Sequence, residues 1–402
     1  GEAAAAIVTL LDFSKAFDRQ DATLAVKSFQ DNGVRPSLIP LLISFFEGRQ
    51  MTVKWHGVRS GVRDLPGGSP QGASLGVWSF LSQTNDNPED ASADEIYKFV
   101  DDKSVIEIVN LFSIGLASHN LKATVPSNIP VTNNFIPSEH LKTQSNLEKV
   151  DSWAEDKQMK LNNLKTKNII FNFSRDKEFS TDIRLGKNII ETVSETKLLG
   201  TILTDDLKWN KNTENIVRGT NRRMQLLHKA KKFTNNTRDL KQIYMLQIRS
   251  KLDQSAVVWH SSLSNKNRND LERVQKSAVR CILGEEYSGY ENALKKLGLV
   301  TLEKRREQMC LKFAKQCLKL KKMEGLFPKN SSEHSMVKRN TEFFKVVKAN
   351  TERFRKSAVP SMIRQLNDYQ KKKKDILSKV DALSMPVNYV SCSPNHCDNN
   401  KQ

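Results

Sequence analysis

The chain has 402 residues, 38% hydrophobic and 27% charged, with 64 Lys and Arg against 45 Asp and Glu for a net charge of +19. That balance supports a buried core and two or three domains, and excludes wholesale disorder, collagen and a disulfide-held miniprotein. The longest apolar stretches, residues 3–11 and 38–46, have nine residues each, against about 20 for a membrane-spanning helix. With no signal-peptide pattern, an intracellular protein of nucleus or cytoplasm is expected, without a membrane partner.

Residues 7–11 are apolar and rich in β-branched side chains, and read as a buried strand ending at Asp12. Residues 22–32 read as a helix closed by Gly33 and Pro36, and 37–46 as a second, apolar helix. Residues 51–58 alternate like a strand. Residues 65–73, rich in Gly, Ser and Pro, form a loop that opens into another helix. Two apolar runs, 97–100 and 103–109, flank Asp101-Asp102 as in a hairpin. The polar stretch 115–140, with Pro126, Pro130 and Pro137, reads as a long loop or insertion. Residues 147–161 have helical periodicity, 166–173 read as a strand and 197–203 as another. From Asn212 onward the pattern is mostly helical: 215–233, 238–250, 268–283, 290–297 and 302–323.

The charge divides unevenly along this order. Residues 1–200 carry 22 basic and 25 acidic groups, residues 201–402 carry 42 and 20. A near-neutral α/β half joined to a basic helical half suggests a polyanion held mainly by the second; solvated Lys-rich faces are the plainer alternative. Lys371, Lys372, Lys373 and Lys374 read as part of a flexible tail. Cys281, Cys310 and Cys317 fall in helical segments as ordinary buried thiols. Cys392, His396 and Cys397 are one ligand short of a structural zinc site, and their segment reads as unstructured.

Three features of the first half carry chemistry together: Asp12 at a strand end, Asp101-Asp102 at a tight bend, and the Gly67-Gly68-Ser69-Pro70-Gln71-Gly72 loop. Carboxylates at strand ends are ligands that Mg²⁺ prefers, and a paired-ion site of that kind supports phosphoryl transfer by positioning and electrostatics. Each signal alone also fits a turn or cap.

The order of Leu10-Leu11-Asp12-Phe13-Ser14-Lys15-Ala16-Phe17-Asp18, Pro70-Gln71-Gly72, Phe99-Val100-Asp101-Asp102, Leu161-Asn162-Asn163-Leu164-Lys165-Thr166-Lys167 and Lys197-Leu198-Leu199-Gly200 resembles the palm of a reverse transcriptase. It is most similar to those of non-LTR (LINE-type) retrotransposons. Residues 247–259, 271–284 and 299–315 resemble the segments that follow, so the likeness spans about residues 3–367.

The resemblance implies an α+β fold: a right-hand polymerase palm, its antiparallel sheet packed on helices, followed by a mainly helical thumb and C-terminal region. It implies a palm over 1–205 with a polar insertion at about 113–145, a thumb-like region over 206–290, a basic extension over 291–367 and a disordered tail over 368–402. The fingers subdomain and the endonuclease that family members carry upstream are expected to be absent. By the same resemblance Asp12, Asp101 and Asp102 are metal ligands for two Mg²⁺ ions (Mn²⁺ in their place), and Phe17 is the steric gate against a 2′-hydroxyl. Phe13, Pro70, Gln71 and Gly72 meet the nucleotide. Lys165 stands by the triphosphate with Lys167, two residues on, as its competitor, and Leu198, Leu199 and Gly200 form the primer grip. Arg218, Arg222, Arg223, Lys229, Lys231 and Lys232 would hold duplex phosphates.

Two departures accompany the match. Val100 stands where Ala is frequent, and the helix after the Gly loop carries Trp78, Ser82 and Gln83 where apolar residues are usual. The expected function is an RNA-directed DNA polymerase that adds dNTPs to a DNA primer on an RNA template. The alternative is a catalytically inactive, nucleic-acid-binding remnant or domesticated retroelement protein that uses the basic half alone.

Overall fold

A run of small and branched apolar residues needs both faces covered, and the strand Ala4–Leu11 (β1) lies at the centre of a five-stranded sheet with apolar clusters on both faces. The computed structural model describes residues 4–65, 67–70, 72–85, 96–110, 135–172, 180–330 and 343–383. The fold is mixed α+β, and the chain divides into two compact units, Gly1–Lys208 and Trp209–Gln402.

In the first unit β1 pairs antiparallel with β3 (Asp102–Asn110) on one side and β4 (Lys167–Asn172) on the other, with Leu11 opposite Lys103. β2 (Ile96–Phe99) extends the sheet beyond β3, and the short strand Glu191–Thr192 joins β4 in parallel. Alternation assigns the faces. Ile7, Leu11, Val105 and Val109 turn toward Phe80, Leu147, Val150 and Trp153, while Val8 packs with Ile169 and Phe171 on the opposite face.

Four helices support this sheet and its loops. Ala22–Asp31 (α1) is capped by the Asp21 carboxylate on the Leu24 amide, and Ile39–Phe46 (α2) follows a Pro36 turn. Ser74–Gln83 (α3) packs on α1. Lys142–Asp156 (α4) has no cap from its own first residue; buried Glu107 of β3 supplies one, accepting the amides of Lys142 and Thr143 and the Thr143 hydroxyl. That carboxylate ties helix to sheet and complements the positive end of the helix.

Several elements differ from the sequence reading. The alternating residues 51–58 form two stacked ribbon pairs, not one strand: Gln50–Met51 pairs with Arg63–Asp64 and Lys54–Trp55 with Val58–Arg59. His56 (φ +47°) and Gly57 (φ +87°) reverse the chain between them, the left-handed pair that a two-residue hairpin turn requires. Residues 197–203 are likewise not one strand but a hairpin, the form the primer-grip resemblance implies, Glu195–Leu198 against Thr201–Thr204, turning at Leu199 (φ +47°) and Gly200 (φ +82°). The helix of residues 147–161 runs instead over 142–156, ending where Gln158 (φ +55°) turns left-handed. Most of the 113–145 insertion lies outside the described residues, but Phe135–Ile136 is a short strand and α4 begins at Lys142.

The second unit is helical. Asn210–Phe233 packs on Asn265–Leu283, and Leu302–Cys317 packs on Ala358–Leu383. Between Thr237 and Leu252 the helix passes through a π-helical stretch, Tyr244–Arg249. A buried polar cluster crosslinks this unit. Asp253 receives Arg305 Nε at 2.6 Å, Arg306 lies over the Trp259 ring, and Tyr244 donates to Gln275. The expected tail beginning at residue 368 is helical as far as Leu383, so Lys371, Lys372, Lys373 and Lys374 are exposed residues of a helix. No Gly or Pro interrupts residues 361–383, and Gln, Lys and Leu are good helix formers. Cys392, His396 and Cys397 lie outside the described residues. No helix among the described residues is long and apolar enough to cross a membrane.

Candidate active site

β1 delivers Asp12 to the end of the sheet, and the β2–β3 hairpin delivers Asp102 to the same cavity, because Leu11 faces Lys103 and each aspartate is the next residue outward on its own chain. The hairpin turns at Val100 and Asp101, and Val100 has φ +59°. A β-branched residue is costly in that conformation, by about 1–3 kcal/mol, so the packing of Val100 against the core must hold the bend.

A third segment completes the corner. The Asp12 carbonyl accepts the Asn162 amide at 2.8 Å, Ser14 N–H donates to the Lys160 carbonyl, and Phe13 bridges to Leu161. Asn162 Oδ1 then accepts the amides of Leu164 and Lys165, folding a turn that presents the Lys165 side chain. Its ammonium lies 3.3 Å from Asp12 Oδ2, a buried oxygen that takes no hydrogen bond. Lys167, the competing candidate, is separated from it: Lys165 is in the turn, whereas Lys167 begins β4 and pairs with Glu191 at 2.5 Å. The two do not share a strand face.

A cavity of about 250 Å³ opens here, lined by Asp12, Asp102, Lys103, Lys165, Lys197 and Leu198, together with Leu10, Leu11 and Thr196. Four sequence-derived candidates therefore meet: Asp12, Asp102, Lys165 and Leu198. Burial, reinforced by the repulsion of Asp101 and Asp12, raises the Asp102 carboxyl above its usual value. Asp12 and Asp102, the two carboxylates on the cavity wall, are the groups able to hold a cation. No set of three or more His, Cys, Asp or Glu side chains among the described residues is grouped tightly enough to ligate a metal by itself.

The other described candidates of the first unit do not line this cavity. Asp101 is on the turn. Phe13 is buried beneath, edge-on to Trp153 at 6.3 Å. Phe17 is half-buried, with its ring 4.7 Å from that of Phe80. The glycine loop is bound to the Phe17 segment: Gly68 N–H donates to the Gln20 carbonyl and Ser69 N–H to the Phe17 carbonyl. Gly68 (φ +83°) is required there, since a Cβ would lie 2.8 Å from the Asp18 carbonyl oxygen. Pro70 and Gly72 continue this loop, and Gln71 lies outside the described residues. Leu199 and Gly200 form the hairpin turn next to Leu198.

Lys103 was not singled out by sequence, and Lys197 entered only as the first residue of the Lys197-Leu198-Leu199-Gly200 motif, with no role assigned. Lys103 is 1% exposed, with its ammonium 3.2 Å from the centroid of the Trp153 ring. Strand alternation was the available signal, because Lys103 occupies the same face of β3 as Val105 and Val109.

In the second unit, successive residues of Asn210–Phe233 turn by about 100°. Lys211, Arg218, Arg222, Lys229 and Lys232 consequently share an arc of about 80°, and all five are exposed. Arg223 and Lys231 point elsewhere, donating to the carbonyls of Gln247 at 2.7 Å and Ile282 at 3.2 Å. A groove of about 760 Å³ runs along the junction of this helix with Asn265–Leu283, and Arg218, Lys266 and Arg273 line it with Glu214 and Asp270.

No protein-family model matches the chain, and no curated protein does. Nine chains of solved structures match. One is the structure of telomerase from Candida albicans in complex with the TWJ fragment of telomeric RNA, at 11% identity and a TM-score of 0.30, over 81% of this chain and 51% of that one. The chain spans about half the length of that structure.

Proposed function

We propose that the chain is the palm and thumb of an RNA-directed DNA polymerase of the non-LTR retrotransposon type, with the first unit as palm and the second as thumb and extension. The observation that carries the reading is the convergence of Asp12, Asp102, Lys165 and Leu198 on one cavity, from four segments spread over residues 12–198. These are the positions that the ordered motifs single out.

Mg²⁺ fits the donors: the Asp12 and Asp102 carboxylates on the wall would supply hard oxygen ligands, and water and phosphate oxygens would complete the shell such an ion prefers. A cation there would offset both the burial and the repulsion that raise the Asp102 carboxyl. When bound, Mg²⁺ supplies the charge that orients a primer 3′-hydroxyl and neutralises departing pyrophosphate. The chain's own residues do the rest. Lys165 is 68% exposed along its side chain and bound to Asp12 through a single ion pair, so its ammonium can swing to a triphosphate oxygen and donate a proton. The Leu198 hairpin supports the primer end, and the Phe17 ring, backed by Phe80, excludes a 2′-hydroxyl.

Primer extension on an RNA template with Mg²⁺ and dNTPs tests this. Incorporation abolished by Asp101→Ala and Asp12→Ala supports the polymerase. Salt-sensitive binding with no incorporation by the wild-type chain overturns it. That outcome would favour the second reading, a non-catalytic binding protein, for which the one-sided cationic stripe from Lys211 to Lys232 is the supporting observation.

A further inference from the structure

The ribbon from Gln50 to Asp64 projects from the first unit with its side chains in water: every residue of its four short strands is exposed. Its tip leaves large apolar side chains unprotected. Trp55 is 74% exposed and its cross-strand partner Val58 73%, and these two share one face of the ribbon. On the other face Lys54 stands directly opposite Arg59, a pairing of like charges that destabilises a two-stranded ribbon by itself. Neither Lys54, Arg59 nor Arg63 meets a carboxylate among the described residues, and the ribbon's one acid, Asp64, is engaged by Gln50.

Such a tip combines an aromatic platform with uncompensated positive charge, and one partner satisfies both: a single-stranded nucleic acid, whose bases stack on aromatic rings and whose phosphates neutralise cations. A two-stranded ribbon is narrow, with strands about 4.8 Å apart. A strand crossing its edge therefore meets Trp55 with a base and Lys54, Arg59 and Arg63 with the flanking phosphates. The base of the ribbon is tied to the glycine loop. Arg49 donates to the carbonyls of Gly67 and Gly68 at 2.7 and 2.6 Å, and Leu65 N–H donates to the Arg49 carbonyl.

We infer that this ribbon is a single-strand binding tongue, in which Trp55 stacks a base and Lys54, Arg59 and Arg63 hold the backbone, guiding the strand toward the glycine loop. This rests on the reading that the chain handles nucleic acid, and not on catalysis.

The test is fluorescence anisotropy of a labelled 16-nucleotide single-stranded RNA and of a duplex of the same length, with the full chain and without dNTPs or divalent metal. Trp55→Ala is expected to weaken single-strand binding by about 5- to 100-fold, the range carried by one base–aromatic stack, and to leave duplex binding unchanged. Trp55→Phe should restore most of the loss, and Trp78→Ala, removing the other well-exposed tryptophan, should cause none. Replacing Lys54, Arg59 and Arg63 by Gln should reduce the slope of log K against log salt by about 2. Unchanged affinity and unchanged salt slope in these variants overturn the inference. So does a Trp55→Ala chain that changes only its association state in sedimentation, which would assign the apolar tip to a protein contact. Failure of primer extension with these binding effects intact would remove the catalytic reading and leave the tongue standing.

Discussion

The Lys103 ammonium lies 3.2 Å from the centroid of the Trp153 ring and 5.5 Å from that of Phe13, inside the layer between sheet and α4. A desolvated cation over an aromatic face gains about 2 kcal/mol, so the ring is part of what makes this buried lysine tolerable. Trp153→Ala should lower stability by about 3–5 kcal/mol, and Trp153→Phe, which keeps a π face, by clearly less than Trp153→Leu. Urea unfolding checks the series. Equal losses for Phe and Leu would show that the ring serves only as volume.

The separation of Lys165 from Lys167 makes the two lysines distinguishable in the polymerase reading. Lys165→Ala should reduce single-nucleotide incorporation by about 10²-fold, the lower range for loss of a general acid, without weakening template binding. Lys167→Ala breaks only an ion pair with a largely exposed Glu191, worth about 0–1 kcal/mol, and should leave incorporation nearly intact. Pre-steady-state extension measures both. The opposite ranking would move the proton-donating role to β4.

The glycine loop gives a graded steric test. At Gly68 a Cβ would meet the Asp18 backbone at 2.8–3.1 Å, and at Gly76 it would meet the Pro70 carbonyl oxygen at 2.7 Å. Gly72 (φ +90°) has open space around it, so alanine there brings backbone strain alone. Gly68→Ala should therefore cost more than the about 1–3 kcal/mol of a strained left-handed residue, and Gly72→Ala should stay within that range. Denaturation midpoints order the variants, and a Gly72→Ala chain less stable than Gly68→Ala would contradict the packing.

Much of the site was legible because its signals are local. An apolar run ending in Asp12 and two apolar runs around Asp101-Asp102 dictate a strand end and a hairpin, and the order of the motifs supplied their pairing. What escaped depended on tertiary contacts or on single turn residues. Residues 51–58 alternate correctly for one strand, yet His56-Gly57 reverses the chain, and the resulting exposed tip left no periodic mark. Glu107 reads as an intruder on a buried face until α4 arrives, 35 residues later, with amides that need an acceptor. Lys103 is similar: the Trp153 ring, brought by α4, is part of what accommodates a lysine beside Leu11 and the core. The four lysines from Lys371 suggested a solvated tail by charge, whereas propensity over 361–383 favours the helix that forms.

His260 offers a pH test of the second unit. The residue is 4% exposed, its Nδ1 takes no hydrogen bond, and burial, reinforced by the Arg306 and Arg268 guanidinium charges, lowers its pKa from 6.5 to about 4. Since the folded form binds its proton less tightly than the unfolded form, the stability associated with neutral His260 is complete above pH 6.5. It is lost as pH falls through the window from 6.5 to about 4. The full loss is about 3 kcal/mol, which for a unit of this size lowers the unfolding midpoint by on the order of 5–10 °C. Thermal melts of the full chain between pH 7 and 4 should show this decline, and His260→Leu, which has no proton to bind, should lack it while retaining the shifts due to carboxylates. A decline of equal size in both chains would show that His260 can be protonated in the fold at no cost, and that the burial seen here opens before the unit unfolds.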